Sequence, residues 1–249
     1  MTKAVLYDST LCVGCRSCEA ACAERWTLPY NDKIAADERI SAHKLTTVKT
    51  HGERFSRRMC MHCEEPTCAS VCPVGAFTKT AVGPVVYDED KCIGCRYCMT
   101  ACPFGVPSYE WTSRTPRVRK CDGCYGRKAA GKPSACSEAC PTNATITGDR
   151  DELIAEAQRR IKERKGEYYP KIYGLQEVGG TDTFFLSAVP FEQLGLNTNL
   201  PTEAMPPLTW AVLSKVPDIA TVGSVLLSGI WWITHRREEV AAVEGRKRK

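Results

Sequence analysis

The chemistry in this chain is carried by sulfur: 16 of its 249 residues are cysteine and only 4 are histidine. The cysteines fall into four groups of four: Cys12, Cys15, Cys18 and Cys22; Cys60, Cys63, Cys68 and Cys72; Cys92, Cys95, Cys98 and Cys102; and Cys121, Cys124, Cys136 and Cys140. Groups one and three have the spacing C-x2-C-x2-C-x3-C, the run that holds a [4Fe–4S] cubane and is commonly followed by proline. Pro73, Pro103 and Pro141 follow the last cysteines of groups two, three and four, whereas Ala23 follows Cys22. Three closely spaced cysteines on a tight loop reach three irons of one cluster. The fourth is carried away by the chain and reaches a neighbouring cluster.

Other cysteine chemistries fit less well. Zinc ribbons use separated C-x2-C pairs without a third cysteine or a following x3-C-P. Disulfide frameworks belong to shorter, secreted chains. Covalent haem needs C-x2-C-H, and no C-x2-C here is followed by histidine. His62, between Cys60 and Cys63, reads as a spacer because four cysteines already complete its set. The expected cofactors are therefore four [4Fe–4S] clusters.

The elements that position these loops show in an internal repeat. Residues 5–22 match residues 85–102 at ten of eighteen positions, including Val-x-Tyr-Asp and Cys-x-Gly-Cys-Arg-x-Cys. Groups one and three each follow a short strand. Groups two and four end in Cys-Pro-x-x-Ala and run into β-prone stretches, Phe77–Thr80 and Thr145–Thr147. Residues 81–84, Ala-Val-Gly-Pro, read as the turn of a hairpin between groups two and three. Spacing alone also allows groups to pair one with two and three with four. The hairpin favours nesting. Cluster A then takes Cys12, Cys15, Cys18 and Cys140; cluster B takes Cys121, Cys124, Cys136 and Cys22. Cluster C takes Cys60, Cys63, Cys68 and Cys102; cluster D takes Cys92, Cys95, Cys98 and Cys72.

Elsewhere, residues 23–59 read as polar and irregular, with His43 and His51 as solvated surface. Arg16, Arg96 and the basic run Arg114–Lys120 are either solvated charge or compensation for cluster charge, which raises reduction potentials. Residues 149–165 form an amphipathic helix with acids at its start, bases at its end, a Leu153–Ile154–Ala157–Ile161 stripe and Gly166 as C-cap. Residues 167–207 read as a wrapping segment. Ile219–Thr234 is uncharged, and residues 216–234 give roughly 28 Å of helix, close to a hydrocarbon core. Trp210, Trp231 and Trp232 flank it, and a basic end follows, predicting a membrane anchor with its tail in the cytoplasm.

The formal charge of +5 is concentrated in that tail. Residues 235–249 hold six Lys/Arg against three Glu, leaving 28 against 26 in the rest. No basic stripe with interleaved aromatics supports nucleic-acid binding. No nucleophile–base pair, carboxylate dyad or nucleotide-binding glycine loop accompanies the clusters, so no substrate chemistry of the chain's own is expected. A self-contained enzyme would need a cluster lacking one cysteine, and all sixteen are present.

With these residues in view, the chain resembles the four-cluster ferredoxin-like iron–sulfur subunits of membrane oxidoreductases. It is similar above all to the anchored subunits of periplasmic [NiFe] uptake hydrogenases and nitrate-inducible formate dehydrogenases. The carrying stretches are Leu6–Cys15, Cys60–Cys68, Cys92–Cys98 and Cys136–Pro141. Tyr168–Gly174, Gly179–Thr181 and Val189–Glu192 look more like the hydrogenase subunit. The resemblance implies one-electron relay between a catalytic subunit, preferably of [NiFe] hydrogenase type, and an integral quinone- or haem-binding subunit. The alternative is the same relay in a formate dehydrogenase or other molybdopterin complex. It implies an inner-membrane location with the cluster domain on the periplasmic side. The hydrogenase subunit carries a twin-arginine signal and this chain shows none, so folded export with a signal-bearing partner is expected. The expected fold class is α+β: two nested bacterial dicluster ferredoxin-like units and a C-terminal single transmembrane helix. Residues 1–59 would supply the first half of the outer unit with an insertion, 60–103 the inserted unit and 104–148 the second outer half. Residues 149–207 would supply the amphipathic helix and wrapping segment, 208–235 the anchor in membrane lipid and 236–249 the basic cytoplasmic tail.

Overall fold

A computed structural model describes residues 2–247. The chain forms two compact units, Met1–Pro206 and Pro207–Lys249. In order, the first contains β1 (Lys3–Asp8), α1 (Ser17–Trp26), β2 (Thr47–His51), β3 (Arg54–Arg58), α2 (Thr67–Ser70), β4 (Phe77–Lys79), β5 (Val85–Tyr87) and α3 (Tyr97–Ala101). It continues through β6 (Ser108–Tyr109), β7 (Val118–Arg119), α4 (Tyr125–Ala129), α5 (Ala135–Glu138), β8 (Thr145–Asp149), α6 (Arg150–Glu163) and β9 (Thr183–Leu186). The second unit contains α7 (Met205–Leu213), which starts just inside the first, and α8 (Val216–Lys247).

β1 is the centre of a three-stranded sheet of order β8-β1-β9. Its run Ala4-Val-Leu-Tyr7 is apolar without alternation because both edges are paired and both faces are covered. β8 runs antiparallel to it, Lys3 opposite Asp149 and Tyr7 opposite Thr145. β9 runs parallel, Val5 opposite Thr183 and Asp8 opposite Leu186. On one face, Ala4, Leu6, Phe184 and Leu186 pack against Leu153 and Ala157 of α6, with Tyr168 and Ile172 closing the cluster. Burial of each large apolar side chain contributes about 1.5–3 kcal/mol. The segment read as a wrap thus contributes a strand and much of this core. The amphipathic helix ends at Glu163, with Arg164 as its C-cap, so Gly166 lies beyond it at φ +90°.

β4 and β5 form the expected hairpin, Phe77 opposite Tyr87. Its turn touches the main sheet, where Lys3 N–H donates to Val82 O at 2.7 Å. Residues 23–59 are not irregular throughout: β2 and β3 form a hairpin with Val48 opposite Arg57. It buries Thr47 and Ser56 on one face and Arg57 on the other, polar residues that hide the strand pattern from a hydrophobicity reading. His43 is exposed, as expected, but His51 is half-buried and its Nε2 lies 2.8 Å from Ser56 Oγ.

In the second unit, α8 does not stop at the basic flank near residue 235 but runs on to Lys247. Its apolar side chains, among them Ile219, Leu226, Leu227, Ile230 and Trp232, are exposed. The helical stretch Met205–Gly245 is long and apolar enough to cross a membrane. The last two residues of the basic tail, 248 and 249, lie outside the described residues.

The two aspartates of the repeat have different fates. Asp8 is wholly buried and accepts hydrogen bonds from Tyr168 Oη at 2.8 Å and Arg160 Nη1 at 3.0 Å. Its counterpart Asp88 sits at the surface with Lys91. Asp8→Ala leaves Arg160 half-satisfied inside the fold and is expected to cost about 3–5 kcal/mol. Asp88→Ala should leave thermal unfolding unmoved; equal effects of the two substitutions in a melting experiment would contradict this assignment.

Candidate functional site

Each cysteine loop begins with C-x2-C, and its third position lies in the left-handed region in all four. Gly14, Gly94 and Gly123 occupy it at φ +70°, +71° and +63°. The loop of group two places His62 there at φ +50°. At Gly14 a Cβ would meet the Phe55 ring at 2.3 Å, so the loop needs glycine for contact as well as for backbone freedom. Arg16 and Arg96 also adopt left-handed φ, as the residues leading into α1 and α3. That turn lets the third cysteine, Cys18 or Cys98, enter a helix beside the first two.

Short helices then carry the fourth cysteines off. α1 packs against α5, and α2 against α3, so groups one and four face each other, as do two and three. Cys22 lies within electrostatic reach of Cys136 and Cys124. Cys102 is set against Cys60, Cys63 and Cys68, and Cys72 against Cys98, which also neighbours Cys92 and Cys95. Cys140 follows α5, which faces the helix bearing Cys18. All sixteen cysteines are free of disulfides.

The surroundings suit sulfur-bound iron. Backbone N–H groups point at the sulfurs: Ala76 to Cys72 at 3.2 Å, Gly123 to Cys121 at 3.3 Å, Gly94 to Cys92 and Ala135 to Cys124 at 3.4 Å. Such bonds stabilise the more negative, reduced cluster. Burial and neighbouring sulfurs push the thiols up, Cys18 to about 11 and Cys22 to about 12. Crowded thiols of this kind are deprotonated by binding metal. Cys136 goes the other way: burial would raise it, but Arg57 and Ser134 hold it below the usual thiol value.

Several contributors escaped the sequence reading. Tyr7 and Tyr87, identical in the repeat, each place a hydroxyl beside the first cysteine of the loop, Cys12 and Cys92. His62 is more than a spacer. It is buried, accepts the Val85 N–H on Nδ1 at 3.0 Å, and sets its ring against Gly123 of the fourth group's loop. Accepting on Nδ1 leaves the neutral ring's proton on Nε2, and burial, with Lys120 nearby, holds its pKa well below the usual value. The basic run divides. Arg117 pairs with Glu89 and Arg119 with Glu110, both at 2.7 Å. Lys120 is buried and donates to Val85 O and Cys121 O. Arg96 lies over the Tyr109 and Trp111 rings, and Arg16 leans toward Glu19 at 4.0 Å.

Short strand-and-helix loops that bring cysteine quartets face to face define a dicluster iron–sulfur protein. A 4Fe-4S dicluster domain family matches residues 52–150, and a second of the same description matches residues 11–76. A protein of Nitratidesulfovibrio vulgaris is 41% identical over 96% of this chain and 69% of its own length. The hydrogenase-2 operon protein HybA of Escherichia coli O157:H7 is 36% identical, over 77% of this chain and 72% of its own. The B subunit of the anaerobic dimethyl sulfoxide reductase of Escherichia coli K12 is 42% identical over 59% and 73%. The chain belongs to this family of 4Fe-4S dicluster iron–sulfur proteins: it is an electron-transfer subunit with the sixteen cysteines for four [4Fe–4S] clusters.

Anaerobically purified protein is expected to hold about sixteen iron atoms per chain, four per cubane. Iron analysis near eight, or stoichiometric zinc, would contradict four complete clusters.

Proposed function

We propose that this chain is a linear electron wire, with ligands swapped between nested units as in the A to D assignment above. The observation that carries the reading is the succession of neighbouring sulfurs. Cys18 of set A neighbours Cys136 of set B, Cys121 of B neighbours Cys60 of C, and Cys68 of C neighbours Cys98 of D. When bound, each [4Fe–4S] cluster takes up and releases single electrons. The chain's own part is to hold the sulfurs in that order and to exclude water from the middle. Cys60, Cys121, Cys124 and Cys136 of the middle sets are buried, as is Cys98 of set D, whereas Cys15 of set A is exposed. Val13 and Ile93, equivalent in the repeat, are exposed at 59% and 66% on the loops of sets A and D. Those loops are where partners would exchange electrons with the ends of the wire.

Nesting is supported by the pairing of β1 with β8 and by α1 against α5. The two family matches run in chain order and overlap between residues 52 and 76, so they favour neither pairing. Cys22→Ser is expected to perturb the cluster held by Cys121, Cys124 and Cys136 in the EPR spectrum. Loss instead of the cluster held by Cys12, Cys15 and Cys18 would reverse the swap.

The partners follow by analogy. HybA belongs by name to a hydrogenase-2 operon, which supports a [NiFe] hydrogenase catalytic subunit as the electron donor. The alternative is the same relay in a formate dehydrogenase or other molybdopterin complex; with a partner of the dimethyl sulfoxide or selenate reductase type the electrons would run the other way, from the membrane subunit to the catalytic one. The wire itself has no catalytic residues in this reading. One helix cannot wall in a quinone, because such sites are concave and built from several elements; an integral subunit holding quinone or haem would take the electrons. Residues 216–235 cross the inner membrane, with the basic end in the cytoplasm and the clusters on the periplasmic side. Protease added to intact spheroplasts should cut the cluster domain and spare the tail; the opposite pattern would invert the topology.

A further inference from the structure

Arg57, on β3, is 1% exposed. Its Nε and Nη1 donate to Thr46 Oγ1 and Thr145 Oγ1, both at 3.1 Å and both neutral acceptors. Arg160 and Arg25, partly buried, are matched by carboxylates, Asp8 and Asp122. Among the described residues, Arg57 has no such partner. A guanidinium is always charged in proteins, and a buried charge without a counter-charge is strongly disfavoured. The groups facing Arg57 that can carry negative charge are chiefly sulfurs, Cys136 first, then Cys18 and Cys121, while burial keeps the nearby Tyr7 phenol protonated. Cys18 belongs to the first group and Cys136 to the fourth. Thr145 lies on β8 opposite Tyr7 of β1, so the two threonines hold the guanidinium where the halves of the outer unit meet.

We propose that Arg57 is a permanent buried cation shared by clusters A and B, raising the reduction potential of both and easing electron passage between them. A fixed positive charge favours the reduced cluster, which carries one more negative charge. Placed between two clusters, it also offsets the repulsion that an electron on one exerts on the other. The inference rests on the four-cluster wire proposed above, but not on the ligand swap. Cys18 and Cys136 sit in groups one and four whichever cysteine completes each cluster. Arg57 acts through the clusters and makes no bond to substrate, so it is a positioning and tuning residue.

The test is EPR-monitored redox titration of the native complex carrying Arg57→Gln, with iron analysis of every preparation. Two of the four clusters should shift about tenfold in their one-electron equilibrium toward the oxidised form, ~59 mV lower, while the other two hold. Arg57→Lys, which keeps the charge, should restore both. Arg54→Gln, an exposed charge on the same strand, should move none. Unmoved potentials with a full complement of iron would overturn the proposal. So would an equal shift of all four clusters, or a lysine variant no better than glutamine. If Arg57→Gln loses iron, the lysine variant decides. Full iron with native potentials supports a requirement for charge, and equal loss of iron shows a role in shape alone. A wild-type complex with fewer than four clusters would instead overturn the wire, and this proposal with it.

Discussion

The rest of the structure depends on one constraint: a short helix carries the last cysteine of each group away from its loop. α1 carries Cys22 away from Cys12 and Cys15, and α3 carries Cys102 away from Cys92 and Cys95. In the ligand swap proposed above, the fourth sulfur of each cluster comes from another loop, and the docking of α1 on α5 and α2 on α3 supports that reading. The sheet and hairpin serve that docking. β1 and β8 bring groups one and four together across almost 140 residues of chain. The β4–β5 turn does the same for groups two and three within one short segment.

Docked quartets concentrate sulfur, and sulfur bound to iron concentrates negative charge. The fold answers with buried donors rather than surface salt bridges. Backbone N–H groups, the tyrosines of the repeat, the Lys120 ammonium and the Arg57 guanidinium surround the quartets. In a low-dielectric interior each such group counts for more than it would in water. The same dense packing brings Cys121 near Cys60 where the two docked pairs of loops meet, the contact on which the proposed wire depends.

The β1 sheet is the other half of the design. Its core of Leu6, Phe184, Leu186 and Leu153 contains no cysteine. It steadies β1, whose end at Asp8 leads into the first loop. Asp8 ties that end to Tyr168 and Arg160, so the late segment, 167–186, braces the earliest loop. The longest reach in the sequence thus serves the most local requirement, a fixed entry into Cys12.

Much of the site was legible because iron–sulfur loops are local. Their spacing, Cys-x-Gly-Cys turns and following prolines depend on backbone geometry over a few residues. The membrane-length helix was legible for the same reason: an uncharged run is a property of neighbours in sequence. What depends on contacts between distant segments was not. β9 lies parallel to β1 with a long crossover between them, and its run Thr183-Phe-Phe-Leu186 has no alternation to mark it. β3 buries the polar Ser56 and Arg57, one on each face, so the strand looks like surface. His62 passed for a spacer because its partners, Val85 and Gly123, are far along the chain. Local sterics and charge spacing are written in the sequence itself. Which buried charge faces which sulfur is settled only when the chain closes on itself, since burial and Coulomb interaction act through space.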